Sequence, residues 1–196
     1  MFDEIFSRIG SCLKRHNVPY MITGGQAFLL YGKPRLIRDI DIIIGLDARC
    51  INLLLSIVRE MSLKPLPDDP KAFIKQTMVL PALDEPSGMR VDFIISSSAY
   101  EEQALKRARR VRLNDNPLCF ASPEDVMIHR VLSGQPGDLE DVKSILVSRG
   151  GSLDLSYVRH WLREFEVASG KGSFLSSFEG ALRMARDLSP PGDIPG

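Results

Sequence analysis

The chain has 196 residues, 44% of them hydrophobic and 26% charged. That length suits one compact domain, or a core with a small helical appendage, and the composition excludes a disordered chain. With 25 basic and 25 acidic residues the formal net charge is zero, which excludes a globally basic nucleic-acid binder and leaves only a local patch for polyanions.

Residues 2–16 are predicted to form an amphipathic helix, with Phe2, Ile5, Phe6, Ile9 and Leu13 recurring at intervals of three and four. Asn17 and Pro19 end it. Tyr20-Met21-Ile22 is a short buried strand that runs into Gly24-Gly25, and residues 26–31 read as a short helix starting at those glycines. After the loop Gly32-Lys33-Pro34, residues 38–46 form a second strand and 48–61 a helix. Pro65, Pro67 and Pro70 break the pattern, and 71–76 is ambiguous, at most a helical turn. Strands follow at 77–83 and 89–96, joined by the hairpin-length stretch 84–88. A helix is expected at 98–108 and strands at 109–113 and 118–121, with a turn at 114–117. Beyond Ser122 the pattern is helical only: 123–133, 138–149, 155–168 and 174–187. Ser122-Pro123-Glu124-Asp125 supplies a capping serine, a proline at the first helical position and two acids near the positive end of the dipole. A soft boundary therefore falls near residue 121. The expected divisions are a mixed core over 1–121, a helical part over 122–188 and a frayed tail over 189–196.

The chemistry concentrates in two apolar strands interrupted by acids. In Arg38-Asp39-Ile40-Asp41-Ile42-Ile43-Ile44 the aspartates stand two apart, so a strand points both to one face. Met89-Arg90-Val91-Asp92-Phe93-Ile94-Ile95 repeats the pattern with one acid. If the two strands pair, Asp92 joins Asp39 and Asp41. Clustered carboxylates repel and resist ionising, and a divalent cation resolves that conflict. Hard oxygen ligands suit Mg²⁺, and three such groups can hold up to two ions. The double glycine, Gly24-Gly25, lets backbone N–H groups approach a phosphate closely. Each feature alone has a plain structural reading: a tight turn, a solvated strand edge, a strand-end acid. Their conjunction, Gly-Gly, thirteen residues, Asp-x-Asp, then a later apolar strand with one Asp, favours a metal–nucleotide site.

These segments resemble the motifs of the nucleotidyltransferase superfamily, the fold shared with DNA polymerase beta. The resemblance rests on Ile22-Thr23-Gly24-Gly25-Gln26-Ala27 and on Tyr31-Gly32-Lys33-Pro34-Arg35-Leu36-Ile37-Arg38-Asp39-Ile40-Asp41. The Gly-Gly form followed by Ala is similar to a small bacterial branch that includes abortive-infection toxin nucleotidyltransferases. Ala121 to Arg130 and Gly137 to Val142 resemble that branch's helical motif. The resemblance implies an α+β fold, a mixed β-sheet flanked by helices and followed by a C-terminal helical part. It implies Mg²⁺-dependent transfer of a nucleoside monophosphate from an NTP to an acceptor hydroxyl on RNA, protein or a small molecule, with release of pyrophosphate. Asp39, Asp41 and Asp92 would be the catalytic metal ligands. Gly24, Gly25, Arg38 and Arg130 would bind the nucleotide. An antitoxin-like protein partner is a further expectation. The chain departs from the family at Gly25, where serine is frequent, at Ile37, where threonine is common, and at Arg130, where lysine is frequent. Those departures keep open a catalytically inactive nucleotide- or partner-binding module.

Other groups carry less. Cys12, Cys50 and Cys119 form no CxxC pair, so neither a zinc site nor a disulfide framework is expected, and a reducing cytoplasm is the expected compartment. The opening Met1-Phe2-Asp3-Glu4 lacks a signal-like apolar run, and no stretch approaches the roughly 18 apolar residues of a membrane span. His16, His129 and His160 show no ligand spacing. Lys106, Arg107, Arg109, Arg110 and Arg112 form one basic cluster, slightly better explained as a solvated face than as an RNA contact. Asp138 and Asp141 share a helix face and suit bonds to the first-half arginines or an acceptor contact, with a salt bridge in the first helical turn as the modest alternative.

Overall fold

The computed structural model describes residues 2–34, 37–113, 116–170, 172–188 and 194. The chain forms two compact units, Met1–Gln26 with Leu36–Ala121, and Ala27–Arg35 with Ser122–Gly196. The segment 27–35 thus belongs with the helical part. The tail expected to fray lies outside the described residues, apart from Ile194, which is buried.

The first unit opens with α1 (Phe2–Arg15), whose Ile5, Phe6, Ile9, Cys12 and Leu13 are buried. It leads to β1 (Tyr20–Thr23) and directly into α2 (Gly24–Phe28). The helix therefore begins at the glycines themselves and ends sooner than the expected 31. There follow β2 (Asp39–Ile44), a short 3₁₀ turn at Ala48–Cys50, α3 (Ile51–Glu60) and β3 (Lys64–Pro65). Next come α4 (Pro70–Thr77), β4 (Val79–Asp84), β5 (Met89–Ile95), α5 (Ala99–Arg107), β6 (Arg109–Leu113) and β7 (Asn116–Phe120). The ambiguous stretch after the prolines is a full helix: Asp69 accepts from Ala72 N at 3.1 Å as its cap, Pro70 takes the first position, and Ile74 is buried.

The seven strands form one mixed sheet in the order β3-β4-β5-β2-β1-β7-β6. β1 with β7 and β2 with β5 are parallel; the other pairs are antiparallel. This is the α+β architecture expected. Period-two alternation assigns the faces. Tyr20, Ile22, Ile40, Ile42, Ile44, Leu80, Ala82, Val91, Phe93 and Ile95 are buried on one side. The other side carries Met21 and Ile43, also buried, and then turns polar toward Asp39, Asp41 and Asp92. The basic cluster is divided between the end of α5 and the edge strand β6, where Arg109, Arg110 and Arg112 are exposed. Charges on an edge strand deter pairing with another chain.

The second unit contains α6 (Pro123–Ser133), α7 (Asp138–Arg149), α8 (Leu155–Ser169) and α9 (Phe174–Leu188). Its core is Val126, Met127, Ile128 and Val131 with Val142, Ile145 and Leu146, Val158 and Leu162, and Phe178, Leu182 and Ala185. The two acids at the start of α6 are buried and bonded. Asp125 accepts from Ser122 Oγ at 2.6 Å and from Tyr157 Oη at 2.8 Å, and Glu124 accepts from Asp154 N at 3.0 Å. They lock α8 to α6 in addition to meeting the dipole. Among the described residues no helix is long and apolar enough to cross a membrane.

In the first unit, Arg8 ties α1 to the end of β4, donating to Asp84 at 2.6 Å and to Met61 O at 2.8 Å. Burial raises the Asp84 pKa, but hydrogen bonds from Ser87 and Arg8 outweigh it and hold the carboxyl below its ordinary value. A carboxylate depressed in the folded state stabilises the fold fully above its unfolded pKa, and that stabilisation is lost as pH falls through the folded value. Asp84→Asn should therefore be less stable than wild type at neutral pH, with a flatter loss of stability below about pH 4. Urea midpoints at neutral pH and at ~pH 3 test this; parallel losses in the two proteins would refute the linkage.

Candidate active site

The site begins with register. In the parallel pair of β2 and β5, Asp41 faces Asp92 and Asp39 faces Arg90. Neighbouring strands lie about 4.8 Å apart and residues two apart share a face, so the three carboxylates project from one side of two central strands. Asp39 is exposed, while Asp41 and Asp92 are half-buried. On the opposite side of β2, β1 pairs Thr23 with Asp41 in antiparallel register. The end of β1, where the glycines stand, is thereby fixed at the same end as the aspartates.

Gly24 is indispensable to that junction. Its φ is +60°, in the left-handed region, and a Cβ there would collide with Asp41 Oδ2. The strand end and the carboxylate are packed against each other with no room for a side chain. Gly25 plays a different part. A Cβ on it would lie 2.7 Å from Ile37 Cδ1 and 2.9 Å from Ile37 Cγ2. The two departures from the family pattern are therefore one packed pair: the missing side chain at 25 is the space that the larger one at 37 occupies. Gln26, buried, donates through Nε2 to Asp39 O at 3.2 Å and fastens the start of α2 to the start of β2.

Arg90 is the resident counter-charge. Its Nε donates to Asp92 Oδ1 at 2.8 Å. Its pKa is raised, first by that hydrogen bond, against desolvation, and then by the charges of Asp92, Asp41 and Asp39. One guanidinium thus feels all three carboxylates. Carboxylate oxygens are the hard donors that suit a divalent cation, but among the described residues these three are not a trio whose ligand atoms all lie within 4.8 Å of one another.

Arg90 also borders a cleft of about 540 Å³ lined by Leu66, Asp68, Asp69, Phe73, Gln76 and Pro81. Pro81 is the register partner of Asp92, so the cleft adjoins the carboxylates. Leu66 and Phe73 are exposed there, and both belong to the proline-broken stretch around α4. A larger cavity of about 740 Å³ lies past the other end of β2, at Gly45, Ser96 and Lys106, and includes none of the three aspartates.

The remaining expected residues are placed less centrally. Arg38 precedes Asp39 and is exposed. Arg130 lies on α6 of the helical unit, where it is 16% exposed. It pairs with Asp138 at 3.1 Å and Asp141 at 3.3 Å, and its guanidinium lies 5.7 Å from the Phe28 ring centre. Asp138 and Asp141 thus pair with an arginine of the preceding helix, α6, rather than with an arginine of the first half. Sequence reasoning named neither Gln26 as the tie nor Arg90 as the counter-charge. An arginine two residues before Asp92 on the same strand face was the available signal for the second.

Gly-Gly against Asp-x-Asp on a mixed sheet, with a third aspartate in register and a helical unit after it, defines a protein of the nucleotidyltransferase superfamily. The chain belongs to the family described as "Nucleotidyltransferase of unknown function (DUF6036)", whose sequence profile matches residues 2–171. Solved structures agree at the level of fold. The antibiotic-resistance factor ANT(2'')-Ia aligns with TM-score 0.61 at 16% identity, over 86% of this chain and 95% of its own. An antigenic nucleotidyltransferase-like protein from Paracoccidioides brasiliensis gives TM-score 0.55 at 18% identity, over 90% and 91%. The lincosamide antibiotic adenylyltransferase LnuA, bound to lincomycin, gives 0.51 at 19% identity, over 74% and 96%. A sequence comparison with curated proteins gave no match.

The Gly25–Ile37 pair makes a separable prediction. Gly25→Ser alone should cost about 1–3 kcal/mol by overpacking, and Gly25→Ser with Ile37→Ala should recover most of it. A denaturation cycle over the two sites measures the coupling; additive effects would show that the two positions do not share the space.

Proposed function

We propose that this chain transfers a nucleoside monophosphate from an NTP to the hydroxyl of a small amphipathic acceptor, with release of pyrophosphate. The single observation that carries the reading is the in-register pairing of Asp41 with Asp92 beside Asp39, with Gly24 letting the end of β1 pack directly against Asp41. Asp39, Asp41 and Asp92 would hold Mg²⁺. When bound, Mg²⁺ would neutralise charge on the triphosphate and make the acceptor hydroxyl more acidic. The residues themselves do the rest. Gly24 and Gly25, at the end of β1 beside the carboxylates, would offer backbone N–H groups to a phosphate. Arg38, exposed next to Asp39, is a second-rank phosphate contact. Asp92 accepts the hydroxyl proton on the oxygen opposite the one Arg90 holds. The acceptor oxygen then bonds to the α-phosphorus as its bond to the β-phosphate oxygen breaks, a reaction governed by positioning and charge.

The acceptor class follows from the cleft beside Arg90. Leu66 and Phe73 offer apolar surface, and Asp68 and Asp69 offer negative charge at its edge. That chemistry suits a small hydroxylated amine better than a polyanion. Two structural relatives were solved with such molecules, ANT(2'')-Ia with adenylyl-2''-tobramycin and LnuA with lincomycin, which supports the choice. The cytoplasm is the compartment this reading assumes, since NTPs are available there. A protein partner of antitoxin type does not enter it.

One observation favours a second reading, nucleotide binding without turnover: Arg90 already occupies Oδ1 of Asp92, the group assigned the proton. Incubation with each NTP, Mg²⁺ and a panel of small hydroxylated amines separates the two readings. Pyrophosphate release with a mass-shifted acceptor supports transfer, whereas binding with no release across the panel supports the second. Asp41→Asn should lower turnover by more than about 100-fold, since even groups behind a metal ligand cost up to that much. Its melting temperature should stay unchanged or rise, because a like charge has been removed. Full activity in this variant would sink the assignment.

A further inference from the structure

A second cluster lies at the far ends of two helices of the same unit. Cys12 and His16 are four residues apart, one turn on the same face at the end of α1, and the bond from His16 N to Cys12 O at 3.1 Å carries the helical register through His16. Glu60 is the last residue of α3. The Cys12 thiol sulfur, an imidazole nitrogen of His16 and a carboxylate oxygen of Glu60 lie within 4.8 Å of one another. His16 Nε2 and Glu60 Oε2 are 2.7 Å apart and share a proton. Arg15 grips the other carboxylate oxygen, Oε1, and so orients Glu60.

We propose that Cys12, His16 and Glu60 form a site for Zn²⁺, separate from the three aspartates. The donor set selects the metal: a thiolate and an imidazole favour a borderline-soft ion, which Mg²⁺ is not. Ligands about 2.0–2.3 Å from a tetrahedral ion stand roughly 3.5 Å apart, so side-chain adjustments of about 1 Å close the site. Water takes the fourth position. The ion replaces the proton between His16 and Glu60 and the proton of the Cys12 thiol, both of which leave to solvent. The geometry favours a cation here. The carbonyl ends of α1 and α3 both terminate at the cluster, and helix C-termini attract positive charge. Arg15, paired with Glu60, already brings one positive charge to it. Bound zinc would clamp the end of α1 to the end of α3 and stabilise the fold by mass action. The spacing escaped sequence analysis because the third ligand lies 44 residues after His16, on another helix.

Titration of metal-free protein with Co²⁺ tests the site by a signature the aspartates cannot give. One equivalent should produce a near-ultraviolet thiolate-to-cobalt charge-transfer band and visible bands of tetrahedral intensity, all abolished by added Zn²⁺ and unaffected by Mg²⁺. Cys12→Ser should lack the charge-transfer band, while Cys50→Ser and Cys119→Ser keep it. His16→Ala and Glu60→Gln should each weaken Zn²⁺ binding by at least about tenfold and lose the rise in melting temperature that Zn²⁺ gives wild type. These two positions are partly exposed, so their variants keep the test decisive if Cys12→Ser fails to fold. Absence of the charge-transfer band in folded wild type, its survival in Cys12→Ser, or an equal Zn²⁺-induced shift in His16→Ala would overturn the site. Each readout is independent of nucleotidyl transfer.

Discussion

The parallel register of β2 against β5 is the constraint on which the candidate active site depends. It brings Asp41 beside Asp92 and leaves Asp39 one step along the same face. The hydrophobic pattern enforces it. Ile40, Ile42 and Ile44 lie beside Val91, Phe93 and Ile95, and all six are buried. A slip of one residue would turn the aspartates into that core and the isoleucines toward water. Burying a carboxylate without a partner costs several kcal/mol, so the register that exposes the acids is also the one that folds. The apolar core thus supplies the rigidity needed to keep like charges close.

The glycines extend the same logic to β1. A side chain at 24 would both strain the backbone and displace the carboxylate that β1 faces through Thr23. At 25 the constraint is softer, because the obstacle is a neighbouring isoleucine. Viewed singly, the departures at 25 and 37 look like two losses of polar function. Viewed together in space, they are a volume exchange of the kind that cores tolerate. The packing at the end of β1 is thereby kept, with an apolar contact between 25 and 37 in place of a hydroxyl.

Much of this was legible in the chain. Period-two alternation, with a change to helical spacing after Ser122, was enough to find the long strands and most helices. The side-by-side placement of Asp41 and Asp92 was legible only from the conjunction of Gly-Gly, Asp-x-Asp and a later apolar strand with one acid, since each alone has a plain structural reading. The two-residue strand Lys64–Pro65 was not, because it is shorter than any period. The helix at Pro70–Thr77 was obscured by prolines, one of which starts it. The buried roles of Glu124 and Asp125 depend on Tyr157 and on the backbone of Asp154, some thirty residues later. Arg130 shows what type and motif leave out: they point to phosphate, while the structure shows its Nη1 and Nε paired with Asp138 and Asp141.

Arg90 joins the two halves of the functional argument. On one side it neutralises part of the charge that the three aspartates accumulate; on the other it borders the cleft at Leu66 and Phe73. A guanidinium in that position cannot be deprotonated and offers planar donors, so it stays a fixed positive edge between carboxylates and cleft. Arg90 and Asp92 act as a unit of orientation rather than of stability, because the Arg90 side chain is 54% exposed. An acceptor in the cleft would meet that unit before it met Asp39 or Asp41. The proposed acceptor would then meet the Arg90 guanidinium together with the acids Asp68 and Asp69, the second of which already caps α4. Charge of both signs within one cleft is what would orient it.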